Sequence, residues 1–186
     1  MTRKKKVAGS LVSRDDCVLI IIDVQEKLVP VISEKEGVVQ NVIRLVRFAN
    51  MAGIPVVVTE QEKLGPTLPE VKKELSAFNP VHKVCFNCFL CKEFIDEISM
   101  IKRPTLILAG AEAHICVLQT ALHGVMEYNV HVVGDAVSSR TPENRKVALG
   151  RMMQCGATIT STEMFLYEIL QKAGTDEFRA TLPLVK

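Results

Sequence analysis

The sequence predicts a single three-layer α/β/α domain, built on a mainly parallel, doubly wound sheet of about six strands. Three observations carry that prediction. Several apolar runs, Cys17–Ile22 (CVLIII) foremost, show no polar alternation, as strands buried on both faces require. Segments with helical periodicity lie between those runs, so strand and helix alternate along the chain. A length of 186 residues suits one sizeable core and is short for two ordinary domains.

Residues 1–14 read as a basic N-terminal arm. Arg3, Lys4, Lys5 and Lys6 precede the first periodic segment, and no basic stripe with interleaved aromatics follows them, so they read as solvated charge rather than a nucleic-acid site. The apolar residues of 7–12 are broken by Gly9 and Ser10, which argues against a signal peptide. No segment approaches the ~18 apolar residues of a membrane span.

The domain proper is expected over 15–174. The first strand is Cys17–Ile22, and a helix over 38–51 stops at Gly53 ahead of Pro55. Further strands are expected at 55–58, within 81–86 (VHKVCF), at 104–108, at 130–133 and at 158–162. The helices between them fall at 92–101, 115–128, 142–154 and 164–173. Thr141-Pro142-Glu143 opens the fourth of these helices with a cap and an N1 proline, and Gly156 closes it. Residues 175–186 read as a tail.

Composition fits a folded interior, with 48% hydrophobic and 24% charged residues and a formal net charge of +2. The six cysteines are few for this length, and Cys17 and Cys155 lie in apolar or helical patterns, which suggests reduced, cytoplasmic usage and burial of both.

In a doubly wound sheet, ligands bind beyond the carboxyl ends of the strands. That rule selects Asp23 and Gln25 after the first strand, residues 59–61 after the second, Lys83 nearby, residues 112–116, and Asp135. The first strand-to-helix turn (IDVQEKLVPVI) has no glycine fingerprint for a dinucleotide, and the chain has no phosphate-binding lysine loop. Asp23 either caps the next turn or sits partly desolvated at the sheet's edge. Lys83 is flanked by apolar residues, where a lysine must snorkel or find a partner. Cys116 opens a helical pattern, where it is either a small core residue or a thiol favoured by the helix terminus. An acid, a lysine and a thiol thus fall at one end of one sheet.

His82, Cys85, Cys88 and Cys91 form a series that resembles metal-ligand spacing. Only a loop could converge four side chains spaced by three, and Phe86, Phe89 and Leu90 interleave, so apolar packing is the preferred reading. A metal-binding protein using this series is the alternative. A non-catalytic regulatory or interaction protein on the same fold is another.

Five stretches, LIIIDVQEKLVP, IPVVVTEQEKLGPTLPE, HKVCF, LAGAEAHICVLQTAL and VVGDAVSSRTPENRKVALGRMMQCGATITSTE, together resemble the isochorismatase-like cysteine hydrolases, especially their isochorismatase domain-containing branch. The resemblance covers residues 15–172 and implies the family's Rossmann-like fold. It implies an Asp–Lys–Cys triad on Asp23, Lys83 and Cys116, and a cis peptide at Ala111-Glu112 with an oxyanion hole formed there and at Cys116. It further implies cleavage of an amide-type C–N bond of a small molecule through a Cys116 thioester, with Gln25, Gln61 and Phe86 around the substrate. Relatives acting on nicotinamide place zinc-binding histidines after the second strand, whereas TEQEKLGPT offers none, so no metal or cofactor is expected. Homo-oligomers are common in the family, and one is expected here. With Lys83 and a helix terminus beside it, Cys116 should have a pKa below the ~8.5 of free cysteine and should be alkylated before Cys17 or Cys155.

Overall fold

The computed structural model describes residues 11–186, so the basic run at residues 3–6 lies outside the described residues. Six strands form one sheet in the order β3-β2-β1-β4-β5-β6, and every pairing between them is parallel. The strands are β1 (Cys17–Ile22), β2 (Val56–Gln61), β3 (Val81–Lys83), β4 (Thr105–Ala111), β5 (Asn129–Ser138) and β6 (Thr158–Thr160). Strand order runs outward in both directions from β1 and β4, which makes the β1/β4 boundary the point where the winding reverses.

Burial explains the choice of residues. All six side chains of β1 and all seven residues of β4 are buried, because helices cover both faces of the sheet. On one face Leu19, Ile21, Ile107 and Ala109 pack under α1 (Lys35–Ala52) and α6 (Thr162–Leu170). On the other, Val18, Ile20, Ile22, Leu106 and Leu108 pack under α3 (Lys92–Ile101), α4 (Leu118–Gly124) and α5 (Pro142–Gln154). One short helix, α2 (Pro69–Lys72), lies in a stretch for which the sequence suggests no element.

Several elements differ in extent from expectation. Strand β5 continues to Ser138, five residues past the apolar run, because a register shift between Leu108 and Gly110 lets its far half pair again with the end of β4. The helix expected over 115–128 begins as a π-helical turn, Ala113–Val117, before α4. The tail at 175–186 is helix α7 (Asp176–Val185), capped by the Thr175 side chain, with Phe178, Leu184 and Val185 against the core. The last residues of the arm pack there too: the Val12 N–H donates to Glu168 Oε2 at 3.0 Å, and Arg14 pairs with Glu177 at 2.7 Å. Among the described residues, no helix is long and apolar enough to cross a membrane.

Gly110 controls how closely the two central strands approach. It pairs with Ile22 at φ +113°, and a Cβ on it would lie 2.0 Å from the Ile22 carbonyl oxygen. Gly150, inside α5, has nothing within 4 Å of such a Cβ. Gly110→Ala should therefore cost at least ~3 kcal/mol in urea unfolding, whereas Gly150→Ala should add ~0.5–1 kcal/mol through helix propensity. Equal effects of the two substitutions would contradict this account of the β1/β4 contact.

Candidate active site

The carboxyl ends of β1, β2, β3 and β4 converge, and each contributes a polar residue that the sheet has just finished burying. Asp23 follows β1 in the left-handed region at φ +52°, a conformation uncommon for a residue with a side chain and often held at functional positions. Its backbone N–H donates to Thr59 O at 3.2 Å, and its carboxylate accepts from the Thr59 hydroxyl at 2.6 Å. Lys83 ends β3, in register with Gln61 of β2, and its Nζ reaches Asp23 Oδ2 at 2.7 Å and Gln61 Oε1 at 2.8 Å. Both side chains of the ion pair are fully inaccessible to solvent. Cys116 lies in the π-helical turn that follows β4, buried and close enough to Asp23 and Lys83 for both charges to act on its thiol. Asp23, Lys83 and Cys116, far apart in the chain, form one connected group.

The electrostatics follow from burial. Desolvation raises the pKa of Asp23 against the opposing pull of Lys83, Thr59 and the thiol. Lys83 is penalised by burial, but Asp23, Cys116 and Cys88 outweigh that, and its pKa is raised. The Cys116 thiol is pushed up strongly, first by burial and then by the adjacent Asp23 carboxylate, with Lys83 only partly compensating. The expectation of a Cys116 pKa below that of free cysteine is therefore corrected. It weighed the lysine and a helix terminus, but the lysine is committed to Asp23, and the thiol sits inside the turn ahead of α4.

A cavity of about 270 Å³ opens over this group, lined by Leu28, Gln61, Glu62, Leu64, Phe86, Glu112, Ile115, Cys116 and Arg140. Gln61 and Phe86 thus face the cavity, but Gln25 does not. Gln25 is fully buried behind the wall, donating to Gln61 O at 3.0 Å and to Gly65 O, and accepting from Gln61 N at 2.8 Å. Its amide braces the 61–65 loop, a role invisible in a residue placed only by its distance from a strand end. The Ala111-Glu112 peptide is cis, and the buried Glu112 carboxylate accepts from Arg140 Nε at 3.1 Å and from Arg140 N at 3.0 Å. Arg140 is absent from the sequence-derived candidates. The signal that could have found it is one more polar strand end, SSR, ahead of the Thr141 cap. Asp135 caps α6 instead, accepting from the Thr162 N–H at 2.8 Å.

The series at 82–91 does not converge. His82 is exposed beside Glu60, Cys88 is buried in the core with its thiol pushed up to about 12 by desolvation, and the Cys91 thiol donates to Glu93 at 3.1 Å. Among the described residues, no group of three or more His, Cys, Asp or Glu side chains is placed to hold a metal ion.

A family model described as the isochorismatase domain matches residues 17–164. The chain belongs to the isochorismatase family. Its relatives in the family include a secreted isochorismatase effector of Phytophthora sojae, 38% identical over 178 residues that span 91% of this chain and 84% of that one. Isochorismatase domain-containing protein 2A of Mus musculus is 34% identical over 177 residues, covering 92% of this chain and 84% of its own. Among solved structures, a ribonuclease of Caenorhabditis elegans superposes with a TM-score of 0.87 at 33% identity, over 95% of this chain and 92% of that one. An octameric hydrolase of unknown specificity from Escherichia coli reaches a TM-score of 0.89 at 23% identity, over 96% and 91% of the two chains, a likeness of fold alone.

Two outcomes are expected from this geometry. Iodoacetamide near pH 7 should modify Cys155, which is exposed and not buried as its helical context implied, ahead of the buried, protonated Cys116, and peptide mass mapping reads the order. Asp23→Asn or Lys83→Met alone strands a buried charge and should cost ~3–5 kcal/mol in urea unfolding, while the double variant should cost clearly less than the sum. Additive losses would mean that the two charges do not stabilise one another.

Proposed function

We propose that the protein is a cysteine hydrolase that cleaves the C–N bond of a small amide, with Cys116 as nucleophile, Asp23 as its base and Lys83 as the compensating charge. The observation that carries this reading is the group itself: a buried thiol beside a carboxylate that is locked to an ammonium, at the floor of a cavity. Because the thiol rests protonated, proton transfer to Asp23 accompanies attack on the carbonyl carbon. The new C–S bond forms as that proton leaves sulfur, and backbone N–H groups at Glu112 and Cys116 receive the developing oxyanion. Collapse expels the amine, which takes the proton back from Asp23, and leaves a thioester. A water activated by Asp23 then adds to the thioester carbonyl, releasing the acid and restoring the thiol.

A cavity of about 270 Å³ sits at the small end of the ~300–1,000 Å³ typical of ligand pockets, which suits a small molecule rather than a polymer. All six cysteines are free, consistent with work in a reducing, cytoplasmic setting. We also propose that the protein works as a homo-oligomer. Val84, Phe86 and Leu90 form an exposed apolar stretch beside the cavity, of the kind a neighbouring subunit covers.

Ammonia release across a panel of small amides tests the activity. Cys116→Ala should reduce turnover at least ~10³-fold with an unchanged circular dichroism spectrum. Since Asp23 must be ionised to act and its pKa is raised, the acid limb of kcat/KM should lie above the ~3.9 of an ordinary aspartate. Lys83 must stay charged and its pKa is also raised, so the alkaline limb should lie above ~10.4. An active alanine variant would remove Cys116 from the mechanism.

A further inference from the structure

Helix α5 carries a glycine that the monomer does not require. Gly150 lies in the interior of the helix, where glycine is unfavourable relative to alanine, and nothing stands within 4 Å of where its Cβ would be. About one turn away, Val147 is 70% exposed. The spacing of Glu143, Val147, Gly150 and Gln154 puts these four on one stripe, opposite the Ala148 and Met152 side chains that α5 buries. Lys146 and Arg151 flank the stripe on either side, and the six residues line a shallow, open depression. Among the described residues, the side chains of Glu143, Lys146, Arg151 and Gln154 make no hydrogen bond or ion pair.

We propose that α5 is a self-association surface, packing antiparallel against α5 of a second copy of this chain about a two-fold axis that passes between Val147 and Gly150. Each Val147 then meets the partner's Gly150, so that a knob on either helix fills the gap on the other and the axes can approach toward the short end of the usual ~8–10 Å range. Charge complementarity fixes the occupant and its direction. Glu143 falls beside the partner's Gln154 and within reach of the partner's Arg151 one turn further in, and the two-fold axis repeats this ion pair at the other end of the contact. The methylene stem of Lys146 lies along the partner's Met153, which is also exposed. A parallel pairing would instead set Glu143 on Glu143 and Arg151 on Arg151, which like-charge repulsion disfavours. This contact goes beyond the cavity-side stretch of Val84, Phe86 and Leu90 and rests neither on that stretch nor on the hydrolase reading. A helix of 13 residues is ~20 Å long and ~10 Å wide, so the paired face is well below the ~800 Å² per partner of a standard interface. The contact is therefore weak and reversible on dilution.

Sedimentation and native mass spectrometry of the full chain, up to several hundred micromolar, read the pairing. Glu143→Arg sets arginine against arginine at both ends of the contact, and Arg151→Glu sets glutamate against glutamate, so each variant alone should self-associate about tenfold or more weakly. Both positions are exposed, so both variants should fold, and circular dichroism checks this. Mixed in equal amounts they regain both ion pairs, and a heterodimer, distinguished by its mass, should form with an affinity within about threefold of the unmodified protein. Gly150→Ala should weaken the pairing about tenfold while stabilising the fold at concentrations where the chain is monomeric, a combination that a purely structural glycine would not give. A chain that stays monomeric throughout overturns the pairing and the homo-oligomer reading together. Self-association that neither charge reversal weakens overturns the pairing alone, and its loss in Leu90→Glu would then leave the homo-oligomer reading in place without α5. Weakened single variants that form no heterodimer overturn the pairing equally, because their loss would not come from charges facing one another.

Discussion

The ion pair between Lys83 and Asp23 is the constraint around which the rest of the site is arranged. Neither side chain touches solvent, so each charge is tolerable only in the presence of the other and of further hydrogen bonds. The structure supplies those bonds from adjacent strand ends: the Thr59 hydroxyl to Asp23, and the Gln61 amide oxygen to Lys83. Gln61 is itself held by Gln25 from behind and donates to Val84 O at 2.6 Å in front. A chain of neutral amides and hydroxyls thus surrounds one buried charge pair, and it exists only because parallel strands in register bring four carboxyl ends to one edge.

That arrangement sets the state of the thiol. Cys116 is next to a carboxylate whose charge is largely spoken for by the lysine, in surroundings that penalise any further anion. The thiol is therefore neutral at rest. A thiol held protonated in this way resists adventitious alkylation and oxidation. Cys88, buried nearby and likewise protonated, packs as a small apolar residue of the core.

Glu112 and Arg140 repeat the same logic at the cavity wall with a different outcome. Here too a buried carboxylate needs a cation, but the cation is an arginine that remains largely exposed. One pair is sealed inside the sheet and holds charge in place; the other reaches from the interior to the opening and presents charge to whatever enters.

Much of this was fixed by the sequence itself. Uninterrupted apolar runs such as CVLIII and TLILA have only one way to hide both faces, so the parallel sheet, its flanking helices and the edge at which polar residues emerge were all legible, as was the meeting of Asp23, Lys83 and Cys116 at that edge. The boundaries that escaped depended on partners distant in the chain. Strand β5 runs on to Ser138 because the end of β4 is there to pair with it, and α7 forms where local signals suggested a tail because Phe178 and Leu184 find the core. The protonation state of Cys116 also required the tertiary structure, since it depends on how much water is removed and on where Asp23 sits in three dimensions. Gln25, expected at the pocket, lies behind its wall, and Arg140, not among the expected residues, lines it, for the same reason. Position along the chain gives proximity to a strand end, but which way a side chain turns, and which buried group it must satisfy, is decided only by neighbours that folding brings together.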